Sequence, residues 1–226
     1  MTEKPHIVPI SNAMEYLDAF NATKSRGGLP SNVMHDQTLV YSDFWQKIRN
    51  AFGSYYTAWS REIVAYPSKH GVFEKGDIKD SDYDWVLQSR YVPKAAIGKK
   101  NICLVIVPKD LQVVNSQVRI IPQSVYVQSF PQANGWYAFD QKTRIPTDRQ
   151  PKSDADEAKR YLWRRDSQTL RPLARYVGVW DGYGRRYVYA YRWPDVRLGV
   201  GVVEPSEQAS AEQKPEKKAR KQRVTT

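Results

Sequence analysis

The chain has 226 residues, of which 41% are apolar, with a mean hydropathy of -0.67, a formal charge of +11 and a pI near 9.6. Such a chain forms one large domain or two small ones and can bury a real core, and no apolar run approaches the roughly 18 residues that a membrane-spanning helix needs. The single cysteine, Cys103, excludes an intrachain disulfide framework, and the positive excess favours a polyanionic partner, nucleic acid first.

The N-terminal stretch MTEKPHIVPISNAM has no basic segment followed by an apolar one, so no secretory signal is expected. With the lone thiol this points to a reducing compartment and a cytoplasmic protein. Met1 to Pro9 reads as a loose arm. Asn12 followed by Glu15 has the capping-box spacing and starts a helix to about Thr23, burying Met14, Leu17 and Phe20. The segment Ser25 to Ser31 breaks that pattern and is a loop.

A longer helix is expected from Ser42, an N-cap followed by Asp43, to Pro67. Phe44, Trp45, Ile48, Ala51, Phe52, Tyr55, Tyr56, Trp59 and Ile63 recur at spacings of three and four and form one apolar stripe. Such a stripe is more often core than a binding face. Val72 to Asp77 reads as a short strand and turn. Asp80 to Arg90 reads as a short helix that buries Trp85 and Val86 and closes at Pro93.

The texture then changes to strands. Asn101 to Val107 is a continuous apolar run of the kind covered on both faces of a sheet. Leu111 to Ile121 and Ser124 to Phe130 are further strands, with Pro108 and Pro122 at their borders. Gly135 to Phe139 is a fourth short strand, and Ile145 to Ser153 an exposed loop. Ser153 caps a short helix through about Arg164, on which Arg160 and Arg164 are neighbours four residues apart. A last strand runs from Val196 to Val203, and the polar segment after Glu204 is a disordered basic tail.

The most informative stretch is Arg175 to Trp193. It reads as two strands joined by the turn Asp181-Gly-Tyr-Gly184. With a period of two, Arg185, Tyr187, Tyr189, Tyr191 and Trp193 share one face, as do Tyr176, Gly178 and Trp180. Aromatic faces stack bases for about 1–3 kcal/mol each with little sequence preference, and arginine adds phosphate contacts. The same row also suits a half-buried sheet packed on a core, and the pattern alone does not decide between them. The strand shares an aromatic-rich composition with RNA-recognition motifs, but their glycine positions are missing and no family follows.

Charge concentrates in the same region. From Glu157 to Arg197 ten Lys and Arg stand against four Asp and Glu, and from Pro205 to Thr226 six stand against three. Phosphate contacts are assigned to Arg164, Arg165, Arg175, Arg185, Arg186 and Arg192, and stacking to Tyr187, Tyr189, Tyr191 and Trp193.

Catalytic and metal chemistry have little support. His6, His35 and His70 are scattered and give no zinc spacing with Cys103, which reads as an inert core thiol. Asp77, Asp80, Asp82 and Asp84 lack the strand and further acid of a metal-dependent nuclease, and acids in a first helical turn need no metal. No phosphate-cradling glycine loop and no serine elbow occur.

The expectation is an α+β protein: a mainly helical part over 1–92, a mainly antiparallel β-rich part over 93–204 packed with it as one domain, and a disordered tail over 205–226. Its expected role is non-enzymatic binding of nucleic acid, without metal, cofactor or membrane. The alternative is a structural or accessory subunit of a larger viral, plasmid or other mobile-element assembly, with protein partners and possible association with virions. Seven Trp and fifteen Tyr suit such interfaces.

Overall fold

Backbone pairing organises this chain more than helix periodicity does. The computed structural model describes residues 6–39, 56–67, 72–73, 85–129, 135–140, 147–151, 159–162, 172–180, 185–191 and 197–204. Among them are ten strands: β1 (His6–Met14), β2 (Tyr56–Ala65), β3 (Trp85–Val86), β4 (Ile102–Val114), β5 (Gln117–Ser129), β6 (Gly135–Ala138), β7 (Lys159–Leu162), β8 (Pro172–Trp180), β9 (Arg185–Tyr191) and β10 (Leu198–Glu204). Two short helices, α1 (Tyr16–Lys24) and α2 (Asn32–Leu39), and 3-10 turns at Ser89–Tyr91 and Lys94–Ala96 complete the described elements.

The strands form one sheet in the order β3-β5-β4-β2-β8-β9-β7-β6, with β10 attached to β2 and β1 attached to β10. Most pairs are antiparallel, but β3–β5, β7–β9 and β10–β2 are parallel, so the sheet is mixed. This overturns the expected helical N-terminal part followed by an antiparallel sheet. The arm and helix start expected over residues 6–14 are β1, whose His6 stands opposite Glu204 of β10. The described end of the expected long helix, Tyr56–Ala65, is the central strand β2. Trp85–Val86 is a strand, not helix, and Lys159–Leu162 is a strand where a Ser153-capped helix was expected.

β2 explains how the error arises. Trp59 and Ile63, four apart, both belong to the main core, and Ala58 and Val64 are equally buried. A spacing of four is one turn of a helix, but it is also an even number and so keeps one face of a strand. Burial on both faces then removes the alternation that marks a strand at a sheet surface.

The sheet forks at β2. One edge pairs with β8 along its length, and the other is shared between β10, at Ala58, and β4, from Ile63 to Ala65. Two extra residues enter β2 between Trp59 and Ile63 where the edge changes partner. The loop before α2 fills the fork: Arg61 N–H donates to the Pro30 carbonyl at 2.9 Å.

β4 and β5 make a long hairpin. Asn115 and Ser116 form its two-residue turn, with φ of 51° and 64°, the left-handed pair such turns require. Pro108 and Pro122 do not bound the strands. They face each other inside the hairpin, flanked by register shifts. Neither can donate to the ladder, and opposing them at a bulge leaves no partner waiting for a missing N–H. Beyond that point the hairpin is held by Leu111, Val118 and Ile120 in the core and by Lys24 of α1, whose ammonium lies 2.7 Å from the Asp110 carboxylate.

The main core lies on one face of the sheet, where Tyr16 of α1 packs edge-on against Trp59 with ring centres 5.3 Å apart and tilts against Trp85 at 5.5 Å. A smaller cluster joins Val64, Tyr66, Cys103, Val105 and Tyr137. Tyr137 belongs to the last strand of the order, so the sheet curls to bring β6 over the opposite face of β2 and β4. Cys103 is buried in that cluster and forms no disulfide, as its apolar run implied.

Candidate nucleic-acid interface

The β8–β9 hairpin forms where the sequence placed it. Its register sets Trp180 opposite Arg185, Gly178 opposite Tyr187, Tyr176 opposite Tyr189 and Ala174 opposite Tyr191. The alternate positions pair Val179 with Arg186, Val177 with Val188 and Arg175 with Ala190. Directly opposed residues share a face of the pleat, so the aromatic positions of both strands form one row. Across β8, Trp59 stands opposite Tyr176 and Ile63 opposite Ala174. Trp59, Ile63 and Ala174 are buried in the main core. The aromatic row is therefore at the register of the core face and continues outward across β9.

The two ends of the hairpin lie at opposite ends of the sheet. Arg185 and Arg186 begin β9 beside Trp180, at the end where β2 begins. Tyr191 finishes β9 near Pro172, at the end where β2 finishes with Ala65. Arg164, Arg165, Arg192 and Trp193 lie outside the described residues, as do the acids Asp77, Asp80, Asp82 and Asp84 and the tail over 205–226. Arg160 stands in β7 opposite Tyr137, in a strand and not in the helix on which it was expected to neighbour Arg164. Strand geometry turns residues to alternate faces and does not place positions four apart on one helical turn.

A second basic feature was not singled out from the sequence. Between Trp85 and Lys109 the chain carries Arg90, Lys94, Lys99, Lys100 and Lys109 and no Asp or Glu. Residues 88–100 fold into successive tight turns, closed by Tyr91 N–H to Gln88 O, Ala96 N–H to Pro93 O and Lys99 N–H to Ala96 O at 2.8–3.1 Å. Gly98, at φ +71°, donates to the Phe73 carbonyl, and Ile97 and Lys100 bridge to Phe73 and Val72. Ala96 is buried beneath the knuckle, while Arg90, Lys94, Lys99 and Lys100 are exposed. The Arg90 guanidinium lies over the Tyr91 ring at 4.8 Å and donates to its hydroxyl at 2.8 Å. The signal available in the sequence was the acid-free run of cations. It was passed over because the charge count was concentrated on the last third of the chain.

Several buried polar groups collect at the fork in β2. Both Glu62 carboxylate oxygens accept the Asn32 backbone N–H, at 3.1 and 3.0 Å, so the acid caps the start of α2. The Asn32 side-chain amide is buried without a hydrogen-bond partner among the described residues. His35 Nε2 donates to the Trp59 carbonyl at 3.2 Å, and burial pushes the imidazole down to about 4 against the opposing effect of that hydrogen bond. The Tyr16 hydroxyl donates to the Arg61 carbonyl at 2.8 Å; burial, then the charge of Glu62, hold its phenol well above the ordinary value, with Arg61 opposing. These contacts tie α2 and the start of α1 to β2 between Trp59 and Glu62, and they hold the fork together.

Among the described residues no group of three or more His, Cys, Asp and Glu is placed to hold a metal ion, and no helix is long and apolar enough to cross a membrane. Compared with protein-family models, curated proteins and solved structures, the chain gives no match.

Proposed function

We propose that this protein binds nucleic acid without chemical turnover, using the β8–β9 hairpin and the basic segment that follows the sheet. The observation that carries this reading is the hairpin register, which lines up aromatic positions on two paired strands with Arg185 at one end, in a chain of net charge +11. Stacking on Tyr187, Tyr189, Tyr191 and Trp193 suits single-stranded RNA or DNA, since every base presents a π-face. Phosphates would be met by Arg164, Arg165, Arg175, Arg185, Arg186 and Arg192, and the tail over 205–226 adds sequence-independent attraction. A reduced, buried Cys103 fits an intracellular setting.

Fluorescence anisotropy with labelled single-stranded and duplex RNA and DNA, across a salt series, tests this. Changing Arg185 and Arg186 to Ala is expected to weaken binding to all sequences and to flatten the log affinity against log salt slope by about 0.7–0.9 per lost phosphate contact. Unchanged affinity and slope would take these arginines out of the interface. Deleting residues 205–226 separates a folded-domain site, which survives, from an arm, which does not. Failure to bind any strand would move the weight to a subunit of a larger protein or nucleoprotein assembly, read by a mass that rises with concentration.

A further inference from the structure

The knuckle over residues 88–100 concentrates cations in a way the fold does not require. Arg90, Lys94, Lys99 and Lys100 are exposed, and no ion pair reaches any of the four among the described residues. Like charges held in successive turns repel one another weakly through water, and an anion bound among them would relieve that repulsion and gain their attraction. The backbone is fixed by the turn hydrogen bonds and by the bridges to Val72 and Phe73, so the side-chain roots are held in place. Arg90 is further held by Tyr91, and Ile97, 38% exposed, adds an apolar surface between the lysines.

The knuckle also lies at a telling end of the sheet. It leads directly into Ile102 at the start of β4, and β4 starts where β2 finishes, because Leu104 stands opposite Ala65. β8 starts there too, and β9 finishes there with Tyr191. From β4 to β9 is three strand spacings, about 14 Å at the usual separation. That gap is well within the roughly 4–16 nucleotides that single-strand-binding folds occupy.

We propose that the knuckle is a second phosphate-binding site for the same ligand, and that a single strand of nucleic acid crosses the strand ends at the Ala65 end of the sheet, with phosphates on Lys94, Lys99, Lys100 and Arg90 and bases toward Tyr191. This rests on the nucleic-acid reading above and extends its path: from β9 the strand continues across the strand ends to the knuckle.

The test uses the full chain and labelled single-stranded oligonucleotides of mixed sequence. K94Q, K99Q and K100Q, singly and together, are compared with K109Q, an exposed lysine on β4 that lies outside the knuckle. Each knuckle change is expected to lower the salt slope by about 0.7 and the triple change by about 2, while K109Q leaves it unaltered. Thermal melts confirm that the exposed replacements fold. A triple variant with the slope and affinity of the parent overturns the knuckle and leaves the hairpin reading standing. Equal weakening by K109Q also overturns it, since that reports charge alone. A parent protein that binds no oligonucleotide overturns both. A knuckle effect together with normal binding by the Arg185 and Arg186 double variant supports the knuckle and removes the hairpin arginines.

Discussion

At the scale of single residues the fork in β2 sets how the molecule responds to acid. The buried His35 imidazole is held at about 4, against an ordinary 6.5, chiefly because burial disfavours its charged form. Between those values the unfolded chain carries a proton that the native chain refuses, so acid favours unfolding. The contribution is fully present above pH 6.5 and declines as pH falls toward 4, by up to about 1.4 kcal/mol per pH unit. Urea denaturation at pH 7.5 and pH 5 should therefore show a loss of stability on acidification, and His35→Gln should remove most of that dependence, whatever its own cost at neutral pH. A variant with the parent's pH dependence would show that His35 is not the group responsible. The same histidine shows a limit of reading residues singly. In sequence it is one of three scattered histidines with no assigned role, whereas in the fold its Nε2 donates to the Trp59 carbonyl. The candidate site was only partly legible for a similar reason. Tyrosine at alternate positions announces a strand face but not which side of the sheet that face meets.

At the scale of elements, patterns survived where one face or both were unambiguous. The apolar run at 102–107 gave β4, and the alternating stretch around Gly182 gave the β8–β9 pair. β2 was lost because its core spacing of four fits both periods, and β1 because Pro9 and a capping-box pattern suggested arm and helix. Glu15, not Asn12, precedes α1, and its side chain makes no capping bond. The two prolines of the β4–β5 hairpin misled in the opposite direction: they looked like borders and prove to be partners. The turn of that hairpin offers a clean test. Asn115 tolerates left-handed backbone, but Ser116 at φ 64° carries a Cβ that glycine would not. Ser116→Gly creates the favoured Asn-Gly turn and should raise stability by about 0.5–1 kcal/mol. A fall in the melting temperature would mean that the serine side chain contributes more than its strain costs.

At the scale of the whole molecule, charge and topology have to be read together. Counting cations along the sequence assigns the binding surface to the last third. Tracing the strands brings the knuckle before β4 to the same end of the sheet as the finish of β9, although some ninety residues separate them in the chain. Net charge summed along the sequence is a poor guide to which cations share a surface, because a mixed sheet reorders the sequence in space.

The pairing of β1 with β10 has a mechanical corollary. His6 and Glu204 face each other at one end of an antiparallel pair, so the described chain enters and leaves the molecule side by side. Tension drawn between those two points would not load the ladder lengthwise, where all its rungs resist at once. It would part them in succession, like a zip, and the register slips after Pro9 and Ser11 would be early weak points. Single-molecule pulling from residues 6 and 204 should accordingly open at low force, with β1 peeling away before the curled sheet yields. One abrupt high-force rupture would mean that the two strands are braced by something other than each other.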